Sequence, residues 1–157
     1  MKKESYELFK NIKIEQILLS LKTELATRNE SPFWGDKVVP FSEAILSILV
    51  ELKKQDLLFN PEGVFQAELT PELFLKWSDF VSLKYLAFTI QKSNEQKELL
   101  RTKLDAEVCK KYTTIDLTKL GDYLAKYNVN LEDENLDFPI SHYNLHQGVS
   151  NVITSLL

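Results

Sequence analysis

Apolar residues recur along most of the chain at the spacing of an α-helix, and polar residues fill the positions between them. In the first such stretch, from about Tyr6 to Arg28, the apolar positions follow a period of about 3.6 residues, which places them on one helix face. They are Leu8, Ile12, Leu18, Leu21 and Leu25. The pattern therefore predicts an amphipathic first helix.

The next stretch begins with the run SPFWGDKVVPF, which is either an active-site loop or the start of a helix. Ser31 followed by Pro32 indicates a helix start, because a serine hydroxyl caps free N–H groups and proline needs no N–H at the first position. An apolar stripe then continues to about Gln55. We predict one long second helix, which Pro40 either kinks or restarts.

A turn-rich interval, LLFNPEGVFQAEL, follows and can hold a short extended piece. Thr70 and Pro71 then repeat the cap-plus-proline signal. The helix that they open reaches about Phe88 and carries more aromatic side chains than one face can hold, Trp77 among them. Most of these side chains are expected in the core, and any that stay exposed mark a contact site.

Three more helices complete the pattern. A charged amphipathic helix is predicted from Asn94 to Lys111, and caps at Asp116 and Ser141 open the last two. No internal repeat is visible in the sequence. The predicted fold class is therefore all-α: a single compact multi-helix domain over residues 1–157, with about six helices.

Composition and charge narrow the function classes. Four glycines and five prolines are few for 157 residues, which favours long helices over tight turns. A net charge of −4 argues against a stand-alone nucleic-acid binder, because phosphate binding needs a basic face. A single cysteine, Cys109, excludes an internal disulfide and fits a reducing compartment. With no apolar run of about 20 residues and no secretory signal, the chain is expected to be cytoplasmic.

His142 and His146 are the only histidines, and their spacing of four residues places both rings on one helix face, as in metal sites. A third ligand would have to come from an acidic segment, from Glu134 or Asp137. Without cysteines or a third motif ligand, such a pair is more often a set of cap or surface residues. We therefore predict no metal or other cofactor. The glycines are isolated, so the sequence also lacks a phosphate-binding loop.

The acidic segment, NVNLEDENLDFPIS, is the strongest charge feature of the chain. Alternating Asp133, Asn135 and Asp137 look like the start of a calcium loop. The match fails, because the sixth position is Phe138 instead of glycine and the twelfth is Asn144 instead of glutamate. The segment is either a solvated loop or a docking site for a basic partner. The candidate partner-binding residues are Glu132, Asp133, Glu134 and Asp137, with Trp77 as the alternative.

Three stretches carry a family resemblance: PFWGDKVVPFSEAILSILVELKKQDLLFNPEG, LTPELFLKWSDFVSLKYLAFTIQKS and the ending HQGVSNVITSLL. They resemble the all-α domain inserted in the nucleotide-binding domain of type IV secretion coupling proteins. These are the TraG/TraD-like ATPases of conjugation and related secretion systems. The resemblance covers about residues 31–157 and rests on apolar patterns and punctuating residues, with no catalytic signature.

The resemblance implies a cargo-binding domain of a hexameric motor that is anchored at the inner membrane. Its partner would be a secretion substrate or a relaxosome protein, and DNA would be contacted in the full assembly. The chain has neither a Walker A nor a Walker B motif, so we expect a domain excised from a larger ATPase, with no enzyme activity or membrane contact of its own. As an insert, it should hold its first and last helices side by side.

The resemblance also makes SPFWGDKVVPF a helix entrance, in which Phe33 and Trp34 pack on a neighbouring helix and Gly35 permits close approach. The rival interpretation is a stand-alone helical adaptor or chaperone-like protein that binds its partner through the aromatic helix. A metal-dependent enzyme using the two histidines ranks last.

Overall fold

Seven α-helices lie in the part of the chain that the structure, a computed structural model, describes, namely residues 2–27, 32–97, 99, 112–126 and 140–156. An isolated antiparallel bridge joins Phe59 to Phe65 in the predicted turn-rich interval. The helices are α1 (Lys2–Lys10), α2 (Ile14–Thr27), α3 (Pro32–Lys54), α4 (Pro71–Trp77), α5 (Phe80–Gln96), α6 (Thr118–Ala125) and α7 (Ile140–Leu156). The predicted all-α class is confirmed.

The predicted first helix is two helices, because the chain turns at residues 11–13. Ile12 has a φ of 56°, in the left-handed region that ends a helix. The Lys13 N–H then reaches back to the carbonyl oxygen of Leu8, at 2.9 Å. α1 contacts α2 and α4, whereas α2 contacts α3 and α7. The expected packing of the first helix against the last is therefore found for α2, whereas α1 packs on α2 and α4 and not on α7.

α3 is the central helix of the fold and runs unbroken from Pro32 through Pro40 to Lys54. The run SPFWGDKVVPF is thus the start of a helix, as predicted. α3 contacts α2, α4, α6 and α7. It is buried on most sides, which is typical of a helix at the centre of a core. Its fully buried large side chains are Phe41, Ile45, Leu46, Ile48, Leu49 and Leu52.

The close approach of two helices occurs at Gly148 on α7 and not at Gly35. A Cβ built on Gly148 would lie 2.5 Å from Cη2 of Trp34, so the indole of α3 rests directly on the backbone of α7. A Cβ built on Gly35 would meet no atom within 4 Å. The prediction for Trp34 is therefore confirmed, and the role assigned to Gly35 is wrong.

The second half of the chain departs from the predicted boundaries. Asn94 does not begin a helix, because α5 continues through it to Gln96 and ends where Lys97 adopts a φ of 58°. Residues 98 and 100–111 of the predicted charged helix lie outside the described residues. α6 begins after Asp116, whose Oδ1 accepts from the Thr118 N–H at 2.9 Å. Hydrogen bonds from the Thr118 hydroxyl and N–H lower the pKa of Asp116.

Candidate protein-binding surface

The predicted aromatic helix is also two helices, α4 and α5, and the break buries Trp77. The Trp77 side chain is 0% exposed, and its Nε1–H donates to the carbonyl oxygen of Phe59 at 3.0 Å. Its ring meets the Phe59 ring edge-on at a centroid distance of 5.4 Å. Because a partner cannot reach a side chain enclosed in this way, Trp77 as a docking residue was a wrong prediction. Its physical role is to anchor the loop after α3 to the core.

The corner between α4 and α5 is built from short polar contacts. Thr70 Oγ1 caps the start of α4 by accepting from the Leu73 N–H at 3.1 Å, as predicted. Asp79 caps the start of α5 by accepting from the Ser82 N–H at 3.3 Å. The sequence carried this second signal, because aspartate is a favoured N-cap residue. The apolar stripe that continues on both sides of Asp79 concealed the break.

α7 holds this corner in place through two side chains that share one acceptor. His146 Nε2 lies 2.9 Å from the carbonyl oxygen of Ser78, and the Ser150 hydroxyl donates to the same oxygen. His146 is buried, and its ring meets Phe41 edge-on at 4.9 Å. The carbonyl oxygen of Ser78 has no donor within α4, because the helix ends there. His146 and Ser150 on α7 take the place of that donor.

Burial lowers the pKa of His146, although the Ser78 carbonyl and the charge of Asp79 oppose the shift. The imidazole is therefore neutral over most of the physiological pH range, with Nε2 protonated to donate to Ser78. The side chain of His142 lies outside the described residues. In the described part of the chain, no three His, Cys, Asp or Glu side chains gather in a group that could hold a metal ion. Sequence spacing alone missed the structural role of His146 at the corner.

With its start fixed in this way, α5 exposes two apolar side chains on one side of the helix. Val81 is 71% exposed and Phe88 is 40% exposed. They are seven residues apart, which is about two helical turns, so they lie on the same side of the helix. Lys92 lies one turn further, with its Nζ 5.8 Å from the centroid of the Phe88 ring. We call Val81, Lys84, Phe88 and Lys92 the outer face of α5.

Among the described side chains, the other exposed apolar residues do not form a comparable row on one helix. Leu19 on α2 is exposed singly, and Val64 and Phe65 lie in the loop after α3. Tyr6 is exposed too, but its hydroxyl donates to Oε1 of Glu72 at 2.6 Å. Scattered apolar residues are ordinary on a protein surface, whereas two on one helix face are the stronger indication of a contact site.

The predicted acidic docking segment lies outside the described residues, as does Cys109. Docking by the four carboxylates of the segment therefore stays a prediction. The residues concerned are Glu132, Asp133, Glu134 and Asp137.

The fold and this surface define an all-α domain with an exposed helix face. Comparison with protein-family models, with curated proteins and with solved structures found no match for the chain. Among the described helices, none combines the length and the apolar character needed to cross a lipid bilayer.

Proposed function

We propose that the chain is a protein-binding domain whose partner packs on the outer face of α5. The observation that carries the proposal is the exposure of Val81 and Phe88 on one side of a helix whose start is rigidly held. The corner contacts of Asp79, His146 and Ser150 fix that start, so little ordering is needed on binding.

The outer face has the composition of a small interface core with a polar rim. Complete burial of a valine or phenylalanine side chain contributes about 1.5–3 kcal/mol. Because Val81 is 71% exposed and Phe88 is 40% exposed, the area still to be buried contributes about 2–3 kcal/mol, roughly a quarter to a third of the free energy of a micromolar complex. Around them lie Lys84, Lys92 and Glu95, and Lys92 Nζ is 3.6 Å from a carboxylate oxygen of Glu95. Charged residues at the rim favour correct orientation more than they add affinity.

Within this class we propose a substrate-recruitment role, as the cargo-binding all-α domain of a type IV secretion coupling protein. The proposal is supported by the resemblance of residues 31–157 and by the helix that begins at Pro32, where the resemblance has its helix entrance. The partner is a secretion substrate or a relaxosome protein, with DNA contacted in the full assembly. The domain acts by protein–protein binding, and ATP hydrolysis belongs to the rest of the hexameric parent.

The alternative is a stand-alone helical adaptor or chaperone-like protein that uses the same outer face. Genomic context distinguishes the two roles. A reading frame that encodes a Walker A motif before this chain and a Walker B motif after it supports the coupling protein. A reading frame without either motif supports the adaptor.

Site-specific photo-crosslinking tests the outer face itself. A photoreactive phenylalanine analogue replaces Phe88 in cells that naturally make the protein, and we expect a crosslinked partner. Val81→Asp should abolish the adduct, because it places a charge in the apolar contact. The matched control carries the analogue at Leu19, which is exposed on α2. Adducts that survive Val81→Asp, or that appear equally from Leu19, would contradict binding at this face.

A further inference from the structure

The loop after α3 contains a short β-hairpin with a well-defined turn, and we call residues 59–65 the hairpin. The Asn60 carbonyl accepts from the Gly63 N–H at 2.8 Å, and Gly63 has a φ of 85°. A left-handed glycine at this position is typical of three-residue hairpin loops. The Asn60 side chain completes the turn, because its Oδ1 accepts from the N–H groups of Glu62 and Val64, each at 3.0 Å. The turn therefore has a fixed shape before any partner binds.

The hydrogen bonds of the hairpin decide which side chains share a face. Backbone hydrogen bonds of 2.9 and 2.7 Å flank the bridge between Phe59 and Phe65, which makes these two residues a non-hydrogen-bonded pair. Side chains of such a pair lie on the same face, with their Cβ atoms about 4.5–5.5 Å apart. Phe59 is 0% exposed, so Phe65 lies on the core side and is 36% exposed. Val64 is 48% exposed and extends from the opposite face.

Tyr85 connects the hairpin to the outer face of α5. Its ring lies 6.3 Å from the Phe59 ring, measured between centroids. Because successive helical residues are about 100° apart, Tyr85 lies about 40° around α5 from Val81, whereas Phe88 lies about 20° away in the other direction. The half-buried Tyr85 thus borders the outer face on the side of the hairpin. The exposed part of Phe65 therefore continues the apolar surface that begins on α5.

The outer face of α5 is too small to form a stable complex alone. Specific protein–protein interfaces bury about 1,200–2,000 Å² in total, with about 20–30 residues on each side. Val81 and Phe88 provide two apolar side chains. A partner that packs on them must also cover the surface beside α5, and the hairpin side continues the apolar contact through Tyr85 and Phe65.

The two edges of this combined surface carry charges of opposite sign. Residues 57–70, which include the hairpin, contain Glu62 and Glu68 and no Lys or Arg. Both glutamates are exposed, and Lys76 Nζ lies 4.0 Å from a carboxylate oxygen of Glu62, which offsets part of this charge. Lys84 lies on the opposite edge, because it is about 100° around α5 from the bordering tyrosine. A complementary partner is therefore basic along the hairpin edge and acidic along the lysine edge.

We propose that the hairpin and the outer face of α5 form one docking surface for an amphipathic helix of a partner protein. The apolar stripe of that helix packs on Val81, Phe88 and Phe65. Its Lys or Arg side chains lie along the hairpin edge, and its Asp or Glu side chains lie along the Lys84 edge. A helix fits because the apolar row on α5 is straight and about 10 Å long, which matches residues two turns apart on a second helix. The inference rests on the proposed function and adds the class and orientation of the partner.

Photo-crosslinking from the two faces of the hairpin tests the combined surface. The photoreactive phenylalanine analogue replaces Phe65 or Val64 in full chains, in the same cells as the chain that carries it at Phe88. Position 65 should give the same partner as position 88, and mass spectrometry should locate both crosslinks on one amphipathic segment of that partner. Position 64 is the matched control, because it is exposed on the opposite face of the same hairpin and should give no adduct.

The outcomes separate this inference from the proposed function. An adduct at position 88 without one at position 65 overturns the combined surface and leaves the outer face of α5 standing. The absence of an adduct at position 88 contradicts both. A different partner at position 65, or equal adducts from positions 64 and 65, also overturns the inference.

Binding of the crosslinked segment provides the second measurement. The segment is made as a fluorescein-labelled peptide and titrated with the purified full chain by fluorescence anisotropy. Phe65→Ala should weaken binding about tenfold, whereas Val64→Ala should change it less than about twofold. Where Phe65→Ala loses its helical circular dichroism signal, Glu62→Lys on an exposed side chain takes its place and should weaken binding more at low salt than at high salt. Native affinity in these hairpin variants would show that the hairpin does not contact the partner.

Discussion

Replacing Gly148 with alanine should destabilise the native protein, although alanine is the better helix former. The added methyl group would lie 2.5 Å from Cη2 of Trp34 and 3.1 Å from its Cζ3. Both distances are below ordinary van der Waals contact, so the indole or α7 must move. Trp34 is half-buried at the start of α3, and its displacement removes the contact that its indole makes with the backbone of α7.

The magnitude follows from two opposing effects. Overpacking a close contact costs about 1–3 kcal/mol. Replacing glycine by alanine inside a helix returns about 1 kcal/mol. Gly148→Ala is therefore expected to lower the free energy of unfolding by up to about 2 kcal/mol. In a Trp34→Ala background the obstacle is gone, so the same substitution should raise the free energy of unfolding by about 1 kcal/mol.

Urea unfolding followed by far-ultraviolet circular dichroism measures the four free energies of this double-mutant cycle. Gly35→Ala is the matched control, since its methyl group meets no atom within 4 Å and should stabilise α3 or leave it unchanged. The coupling energy between positions 34 and 148 should be about 1–3 kcal/mol. A coupling below about 0.5 kcal/mol, or destabilisation of equal size in both backgrounds, would refute the reasoning.

Three further predictions concern the corner, the core and the acidic segment. Because burial lowers the pKa of His146 below that of the unfolded chain, the free energy of unfolding should fall as pH drops below about 6.5, by at most about 1.4 kcal/mol per pH unit. Urea titrations should show this slope reduced in His146→Gln, whose amide nitrogen can still donate to Ser78, and an unchanged slope would contradict the assignment. Trp77→Phe should cost about 2–4 kcal/mol by the same assay, since it leaves the buried Phe59 carbonyl without its donor, and a loss below about 1 kcal/mol would be inconsistent with that bond. The third prediction concerns the four acidic residues Glu132, Asp133, Glu134 and Asp137. Replacing them with Asn or Gln should slow association with a basic cargo protein at low salt, and the difference should shrink at high salt. Equal stopped-flow association rates at low salt would show that the segment is not a docking site.

The sequence predicted those elements whose signals are local. Ser31 with Pro32, and Thr70 with Pro71, mark helix starts through chemistry that acts within one turn, and both helices begin at the prolines. Helical periodicity located α2, α3 and α7 because each lays an apolar stripe on the core. The all-α class followed from the sum of these signals.

The two missed breaks have different physical reasons. The left-handed turn at Ile12 has no local signal, since a β-branched residue is a poor candidate for positive φ and tertiary packing imposes the conformation. The break at Ser78 and Asp79 had a capping signal, but buried residues continue on both sides of it, through Trp77 and Leu83. Periodicity reports which residues are buried and does not report that the helix axis changes direction between them.

Parts of the fold depend on contacts between residues distant in the sequence. Gln55 meets Thr113 across 58 positions, and Asn94 meets Ile115 across 21. A single amide residue at a helix end carries no pattern that announces such a bond. The excess of aromatic residues after Thr70 was visible in the sequence. The burial of Trp77 depends on Phe59, which lies 18 positions earlier in the sequence and accepts its hydrogen bond.

The unequal burial of the two tryptophans gives the protein a pair of internal optical reporters. Trp34 and Trp77 are its only tryptophans, one half-buried at the contact between α3 and α7 and one enclosed in the core. Solvent relaxation shifts indole emission to longer wavelengths, so the two residues emit at different wavelengths and differ in their access to a collisional quencher. Time-resolved emission can therefore separate loosening at the edge of the bundle from opening of its centre, in the same sample and without a label.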